Sequence, residues 1–225
     1  MTEEFAVDLH VHTELSHDAR APVEVILDHA EDIEMDAIAI TDHDRIENAL
    51  RATKLAEDRD ITVIPGVEVS TANGHLLALG VERRPEKGRK LQDTVEAVRA
   101  MGGTAVVPHP FQFTRHGARK RHITDCDAIE VYNPWLFTGL RNRRARTFAE
   151  KRDIPGVAFS DAHVAGMIGR AHTMIRAEPP LTQEKVLDAI KAGHESIEGK
   201  RQPIPVSTWN YIKCAFRKMA YFIPF

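Results

Sequence analysis

Six separate stretches of this sequence set a metal-binding or acid/base residue just past a short apolar run. They are Val7-Asp8-Leu9-His10-Val11-His12, Ile40-Thr41-Asp42-His43-Asp44, Gly66-Val67-Glu68, Val107-Pro108-His109-Pro110, Glu130-Val131-Tyr132-Asn133 and Phe159-Ser160-Asp161-Ala162-His163. The first alternates, so His10 and His12 project from one face of a strand, where two neutral imidazoles can hold one cation. Imidazole mixed with carboxylate, without thiolate, suits zinc, manganese or ferrous iron and not soft-metal storage. A carboxylate among several histidines can bridge two ions. Paired ions suit phosphoryl hydrolysis, because they lower the pKa of a shared water and neutralise charge on the phosphoryl oxygens.

The elements that must position these residues are legible as short Val/Ile/Ala-rich runs alternating with helical periodicity, the pattern of repeated βα units with a largely parallel sheet. Strands are predicted at Ala6 to Val11, Ala37 to Thr41, Thr62 to Val67, His75 to Gly80, Thr104 to Val107, Ala128 to Val131, Gly156 to Ser160 and His172 to Ile175, with helices filling the gaps. Pro22 suits a first-turn position before Val23, Ile26, Leu27 and Ala30, and Asp44 can cap the helix carrying Ile46, Leu50 and Leu55. Thr182 caps the last helix, with Lys185 instead of an acid three residues on. Seven or eight such units point to a compact α/β barrel, with an open sheet as the alternative. In a barrel the site lies at the carboxyl ends of the strands, where all six polar stretches fall.

A chain of 225 residues with 43% hydrophobic content can bury one good core. The net charge of −3 gives no global basic field, which argues against a stable complex with long nucleic acid. Cys126 and Cys214 are the only cysteines, so a disulfide framework and a cysteine-rich zinc module are excluded and a reduced, cytoplasmic setting is expected. The acidic start Met1-Thr2-Glu3-Glu4-Phe5 does not read as a signal peptide, and no run approaches a membrane span.

The motifs Asp8-Leu9-His10-Val11-His12-Thr13, Ser16-His17-Asp18, Ile40-Thr41-Asp42-His43-Asp44 and Gly66-Val67-Glu68-Val69-Ser70, followed by His75-Leu76-Leu77, Pro108-His109-Pro110, Glu130-Val131-Tyr132-Asn133 and Ser160-Asp161-Ala162-His163, resemble in type and order the PHP family, the polymerase and histidinol phosphatase superfamily. The resemblance runs from Asp8 to about Thr173. It implies a distorted (β/α)7 TIM-like barrel with two or three divalent ions (Mn2+, Zn2+ or Fe2+) at its carboxyl face. It also implies His10, His12, Glu68 and Asp161 around one ion, His43, His163 and Asp18 around a second, with His17 as the alternative to Asp18, and Glu68, His75 and His109 around a third. Asp161 and His163 then orient or protonate around a metal-bridged hydroxide and the leaving oxygen. Glu130 is expected to be tied up in the structure near the metals, and Asn133 to bond substrate or water.

The activity so implied is hydrolysis of a nucleotide-like or small-metabolite phosphomonoester, or of the 5' end of a short oligonucleotide. The alternatives are a noncatalytic regulatory or assembly module and an amidohydrolase-type enzyme. Substrate phosphate calls for further cations. Arg115 and Arg119 lie in the basic loop after His109, which otherwise reads as a solvated turn, and Arg170 lies in Ile168-Gly169-Arg170-Ala171-His172-Thr173. Residues 1–200 are read as the phosphoesterase domain and residues 201–225 as a C-terminal extension. In the extension, Trp209, Ile212, Phe216, Met219, Ala220 and Ile223 recur at helical spacing opposite Lys213, Arg217 and Lys218, for packing against the barrel, for a dimer or partner contact, or for a membrane-surface or nucleic-acid role. The sequence leaves the oligomeric state open.

Overall fold

The computed structural model describes residues 1–112, 116–135, 139–193 and 196–200. Along them run β1 (Glu3–Val11), α1 (Val23–Asp32), β2 (Ala37–Ile40), α2 (Glu47–Leu55), β3 (Thr62–Thr71), β4 (Gly74–Leu79), α3 (Leu91–Ala100), β5 (Thr104–Val107), β6 (Ala128–Tyr132), α4 (Leu140–Glu150), β7 (Gly156–Ala158), β8 (Ala171–Ala177), α5 (Gln183–Ala192) and β9 (Ser196–Gly199). The strands form one sheet in the order β7-β6-β5-β4-β3-β2-β1-β8-β9.

This sheet curls almost shut. Val11 at the end of β1 bridges Ala162 just past β7, with the His12 N–H donating to the Ala162 carbonyl at 2.9 Å and the Ala162 N–H to the His10 carbonyl at 3.1 Å. Farther along the seam the Thr173 hydroxyl of β8 donates to the Ala158 carbonyl and accepts from the Ala158 N–H, both at 3.0 Å. The result is the distorted TIM-like barrel that the sequence predicts, and all eight expected strands form.

Its sheet is less parallel than expected. The pairs β1–β2, β2–β3, β5–β6 and β6–β7 are parallel, while β3–β4, β4–β5, β1–β8 and β8–β9 are antiparallel. The reason is local: β3 returns as β4 through Thr71-Ala72-Asn73-Gly74, a turn too short for a helical crossover. Asn-Gly between strands is a strong hairpin signal. Gly74 has φ 124°, and a Cβ there would sit 2.6 Å from the Ala118 N, so glycine alone fits without strain.

Helix α1 buries Val23, Ile26, Leu27 and Ala30 as its periodicity requires, and the Thr182 hydroxyl accepts from the Lys185 N–H at the start of α5. Asp44 does not cap α2. The residue preceding that helix is Ile46, and the Asp44 carboxylate accepts instead from the Ser70 N–H at 2.8 Å, which ties the loop after β2 to β3. The C-terminal extension lies outside the described residues.

Candidate metal centre

Strands β1, β2, β3, β5, β6 and β7 all point the same way, so their carboxyl ends open on one mouth. His10 lies near the end of β1 and His12 just past it, His43 follows β2, Glu68 lies in β3, His109 follows β5, and Asp161 and His163 follow β7. His75 starts its strand instead of ending it. It reaches the same mouth because β4 runs backwards.

Glu68 is the hub. Its Oε2 lies 3.5 Å from His10 Nε2, 3.3 Å from His12 Nε2 and 3.0 Å from His43 Nδ1, while Oε1 lies 2.8 Å from His75 Nδ1 and 2.9 Å from His109 Nε2. Asp161 Oδ1 sits 3.6 and 3.5 Å from the Nε2 atoms of His10 and His12 and 3.4 Å from His163 Nδ1. The Asp18 carboxylate spans His43 Nε2 at 3.5 Å and His163 Nε2 at 3.2 Å. The structure therefore gathers all nine residues His10, His12, Asp18, His43, Glu68, His75, His109, Asp161 and His163. His17 is the more exposed neighbour, 3.8 Å from Asp18, with its ring centred 5.0 Å from that of His43 and tilted 31° to it.

The donor set fits divalent ions. His10-His12-Asp161, His10-Glu68-His109 and His12-His43-His163 each bring three ligand-type atoms within 4.8 Å of one another, as do His43-Glu68-His75 and His17-Asp18-His43. Two of these atoms, His10 Nε2 and His12 Nε2, are buried without a hydrogen-bond partner among the described residues. Leaving buried polar atoms unpaired is costly, and a cation between them would satisfy both.

A second layer fixes which ring nitrogen faces inward. Asp42 accepts at Oδ1 from the Thr13 N–H at 2.8 Å and the Ser16 hydroxyl at 2.6 Å, and at Oδ2 from the Thr13 hydroxyl at 2.6 Å. With its one proton committed to Asp42, the Ser16 oxygen can only accept, from the His43 N–H at 3.1 Å and from His12 Nδ1 at 3.1 Å. That holds the hydrogen of His12 on Nδ1 and leaves the Nε2 lone pair for the site. His163 is set likewise by its Nδ1–H on the Asp161 carbonyl at 2.8 Å, and His10 Nδ1 faces Glu130 Oε1 at 3.3 Å.

Glu130 is consumed as the sequence suggests, accepting also from the His109 N–H at 2.7 Å and from Asn133 Nδ2 at 3.0 Å. Asn133 reaches Asp161 Oδ2 at 3.2 Å, and Trp135 donates its indole N–H to the Asp161 carbonyl at 2.9 Å. Asp161 itself holds a left-handed backbone, φ 51°, a conformation found where a side chain is aimed at a cost in strain. The anchoring roles of Ser16, Asp42 and Trp135 escape sequence reasoning. The only signal for the first two is their place inside the Ser-His-Asp and Asp-His-Asp motifs.

Electrostatics follow from this crowding of imidazoles around carboxylates. Burial alone would lower the His10 and His43 imidazoles, but Glu68, with Glu130 or Asp18, outweighs it and raises them to about 9 and about 10. Burial would raise the Glu68 and Asp18 carboxyls, yet the surrounding histidines hold both well below the usual range. His75 moves the other way, down to about 4, because desolvation exceeds the pull of Glu68.

Beside the cluster opens a cleft of about 1010 Å³. His43 and His75 form part of its wall, and Arg45, Lys87, Arg119 and Arg121 also line it. Of the arginines that the sequence offers for substrate phosphate, Arg119 lines this cleft. Arg170 is not among the lining residues; its Nε donates to the Gly166 carbonyl at 3.5 Å. Arg115 lies outside the described residues. Among the described residues no helix is long and apolar enough to cross a membrane.

Comparison with known proteins points the same way. The chain is 29% identical over 163 residues to an uncharacterised protein of Methanocaldococcus jannaschii, covering 68% of this chain and 95% of that one. It is also 29% identical over 222 residues to the 3',5'-nucleoside bisphosphate phosphatase of Chromobacterium violaceum, covering 85% of this chain and 75% of the relative. Among solved structures, a two-domain Bacteroides vulgatus protein containing a predicted PHP-like metal-dependent phosphoesterase superposes with a TM-score of 0.75 at 18% identity. That match covers 88% of this chain, which spans 65% of the larger protein. A PHP-associated family model matches residues 139–194. The model of the PHP domain itself matches residues 8–123, more than half of the 225 residues, and the chain belongs to the PHP domain family.

Proposed function

We propose that this protein is a metal-dependent hydrolase of phosphomonoesters, acting on nucleotide-like or small-metabolite substrates. The observation that carries the reading is the cluster of six imidazoles and three carboxylates around Glu68, opening on a cleft lined by arginine and lysine. The likeness to a bisphosphate phosphatase supports it.

In this reading His10, His12, Asp18, His43, Glu68, His75, His109, Asp161 and His163 hold two or three divalent ions, Mn2+, Zn2+ or Fe2+. Bound there, such ions supply Lewis acidity that activates water and neutralises phosphoryl charge. The remaining work belongs to the chain. Asp161, with Oδ2 anchored by Asn133, orients the attacking water at Oδ1 and accepts its proton as the new O–P bond forms. The ester P–O bond breaks and the leaving oxygen takes its proton from solvent water, while His163, its Nδ1–H on the Asp161 carbonyl, keeps the Nε2 lone pair turned to the site beside it. Arg119 meets the phosphoryl oxygens from the cleft side. Residues 1–200 form the phosphoesterase domain in this reading, and residues 201–225 an amphipathic extension to it.

The test is inorganic phosphate release by the manganese-reconstituted protein across sugar phosphates, histidinol phosphate, mononucleotides, nucleoside bisphosphates and short 5'-phosphorylated oligonucleotides. Asp161→Asn should abolish turnover while the metal content stays near normal. Near-normal turnover by a metal-replete Asp161→Asn protein refutes the role given to Asp161, and silence of the wild type across the panel refutes the activity.

A further inference from the structure

Asp161 keeps its left-handed backbone under the hold of several donors. Its carbonyl takes the Trp135 indole N–H at 2.9 Å and the His163 Nδ1–H at 2.8 Å, and its Oδ2 takes Asn133 Nδ2 at 3.2 Å. A strained residue persists only where its surroundings over-determine it. Two of these donors stand on one short stretch, Asn133 to Trp135, which lies past the last ladder pair of β6, Tyr132 with Ala158. The stretch that steers Asp161 must therefore be fixed by something other than the sheet.

Asn142, in the first turn of α4, supplies that fixture. Its Oδ1 accepts from the Asn133 N–H and its Nδ2 donates to the Asn133 carbonyl, both at 3.2 Å, so one side chain does for this backbone what a neighbouring strand would do. The Asn133 amide is then committed in turn. Nδ2 serves Glu130 Oε2 at 3.0 Å as well as Asp161, and Oδ1 accepts from the Trp135 N–H at 3.0 Å. Both side-chain donors of Asn133 thus go to protein carboxylates, where the sequence suggests a bond to substrate or water.

Asparagine is a poor helix former because its side chain competes for backbone groups, and Asn142 directs that competition at a backbone nine residues away. Helix α4 gives it a firm base. Ala145, Phe148 and Ala149 are buried in one apolar cluster with Ile129 and Val131 of β6.

We propose that Asn142 is a positioning residue for the hydrolysis, clamping Asn133 so that Asp161 is aimed with Oδ2 tied back and Oδ1 turned to the cluster. Its kinetic consequence rests on the phosphomonoesterase reading, whereas the clamp itself can be read in protein that turns nothing over.

The experiment compares wild type, Asn142→Ala, Asn142→Asp and Ala145→Gly, each as the full chain. Ala145→Gly loosens the same helix at a side chain with no group to bond Asn133, and urea unfolding checks that the variants are equally weakened. At saturating Mn2+, loss of the clamp should lower kcat about ten- to a hundred-fold on the substrate that the wild type turns over fastest, with KM within about threefold, because a misaimed Asp161 impairs the reaction step more than binding. In metal-free protein, exchange of the Trp135 indole hydrogen should quicken at least about tenfold, read by NMR in a Trp209→Phe background that leaves one indole signal. Ala145→Gly should do neither. Asn142→Asp keeps the size but loses the donor to the Asn133 carbonyl; it should reproduce both changes, and it decides the matter if the alanine protein does not fold.

Absence of either change in the Asn142 variants overturns the assignment. So do equal changes in Ala145→Gly, since helix packing alone then accounts for them. If the wild type hydrolyses nothing in the panel, the hydrolase reading has failed and indole exchange decides the clamp separately. Quickening confined to the Asn142 variants upholds it, and exchange at the wild-type rate overturns it.

Discussion

Replacing Ser16 by alanine tests the claim that the metal cluster is tuned from behind. The Ser16 side chain is 2% exposed, and its oxygen serves three partners: it donates to Asp42 at 2.6 Å and accepts from the His43 N–H and His12 Nδ1, both at 3.1 Å. Asp42 retains the Thr13 N–H and hydroxyl after the change, so its loss is partial. The two accepted bonds are not replaced. An orphaned buried donor costs about 1–3 kcal/mol, so the pair predicts a destabilisation of about 2–6 kcal/mol in the metal-free protein.

The functional effect is more specific. Without an acceptor at Nδ1 the His12 ring is free to carry its hydrogen on Nε2, beside the Glu68 and Asp161 oxygens at 3.3 and 3.5 Å, which removes the lone pair aimed at the ion. Loss of such an orienting partner typically weakens metal binding about ten- to a hundred-fold. Titration calorimetry with Mn2+ measures this, and long-range 15N–1H spectra of the His12 ring read the tautomer directly. Ser16→Thr, which keeps the hydroxyl, should restore affinity if its methyl is accommodated. A folded Ser16→Ala protein that binds manganese as the wild type does, with His12 still protonated at Nδ1, refutes the reasoning.

Three further outcomes are expected. His10 and His43, raised to about 9 and about 10, are protonated in the metal-free protein at pH 7.5 and must lose those protons to become ligands, so metal uptake should release up to two protons. Calorimetry in buffers of different ionisation enthalpy counts them, and a buffer-independent heat refutes it. Because these folded-state values lie above the ordinary 6.5, the stability they confer is full below pH 6.5 and fades as pH rises through about 9 and 10. Urea midpoints of the metal-free protein should fall over that window. Gly74→Ala, placed at φ 124° with its Cβ 2.6 Å from the Ala118 N, should cost about 1–3 kcal/mol in urea unfolding and displace His75, lowering manganese retention on desalting; unchanged stability argues against the turn's role.

What the sequence could disclose was set by the kind of information each feature needs. Residue type carries metal chemistry, so His10, His12, His43, Glu68, His109, Asp161 and His163 are legible from their places past apolar runs, whereas Asp18 and His75 are reached only through the family resemblance. Strand polarity is not carried by residue type. The expectation of a largely parallel sheet takes no account of the Asn73-Gly74 turn, and β9 gives no sequence signal because Ser196–Gly199 is short and mostly exposed, without apolar alternation. The basic loop after His109 read equally as solvent-facing or phosphate-binding, since only folding shows Arg119 and Arg121 sharing a wall with Lys87.

The carboxylates make the deeper point. Asp8, Asp42, Asp44 and Glu130 stand in the same motifs as Glu68 and Asp161 and look alike in sequence. Folding separates them by who claims their oxygens. Asp8 accepts from the Ser160 and Gly169 N–H groups, both at 2.9 Å, Asp42 from Thr13, Asp44 from Ser70 and Glu130 from His109. Each of these carboxylates satisfies a backbone donor on another segment and thereby fixes a loop that carries a histidine or the cleft wall. Glu68 instead turns both oxygens to imidazoles, and Asp161 turns Oδ1 the same way. A mouth assembled from the ends of six strands needs both kinds, because ligands that arrive on separate loops hold a common geometry only when their loops are tied to one another.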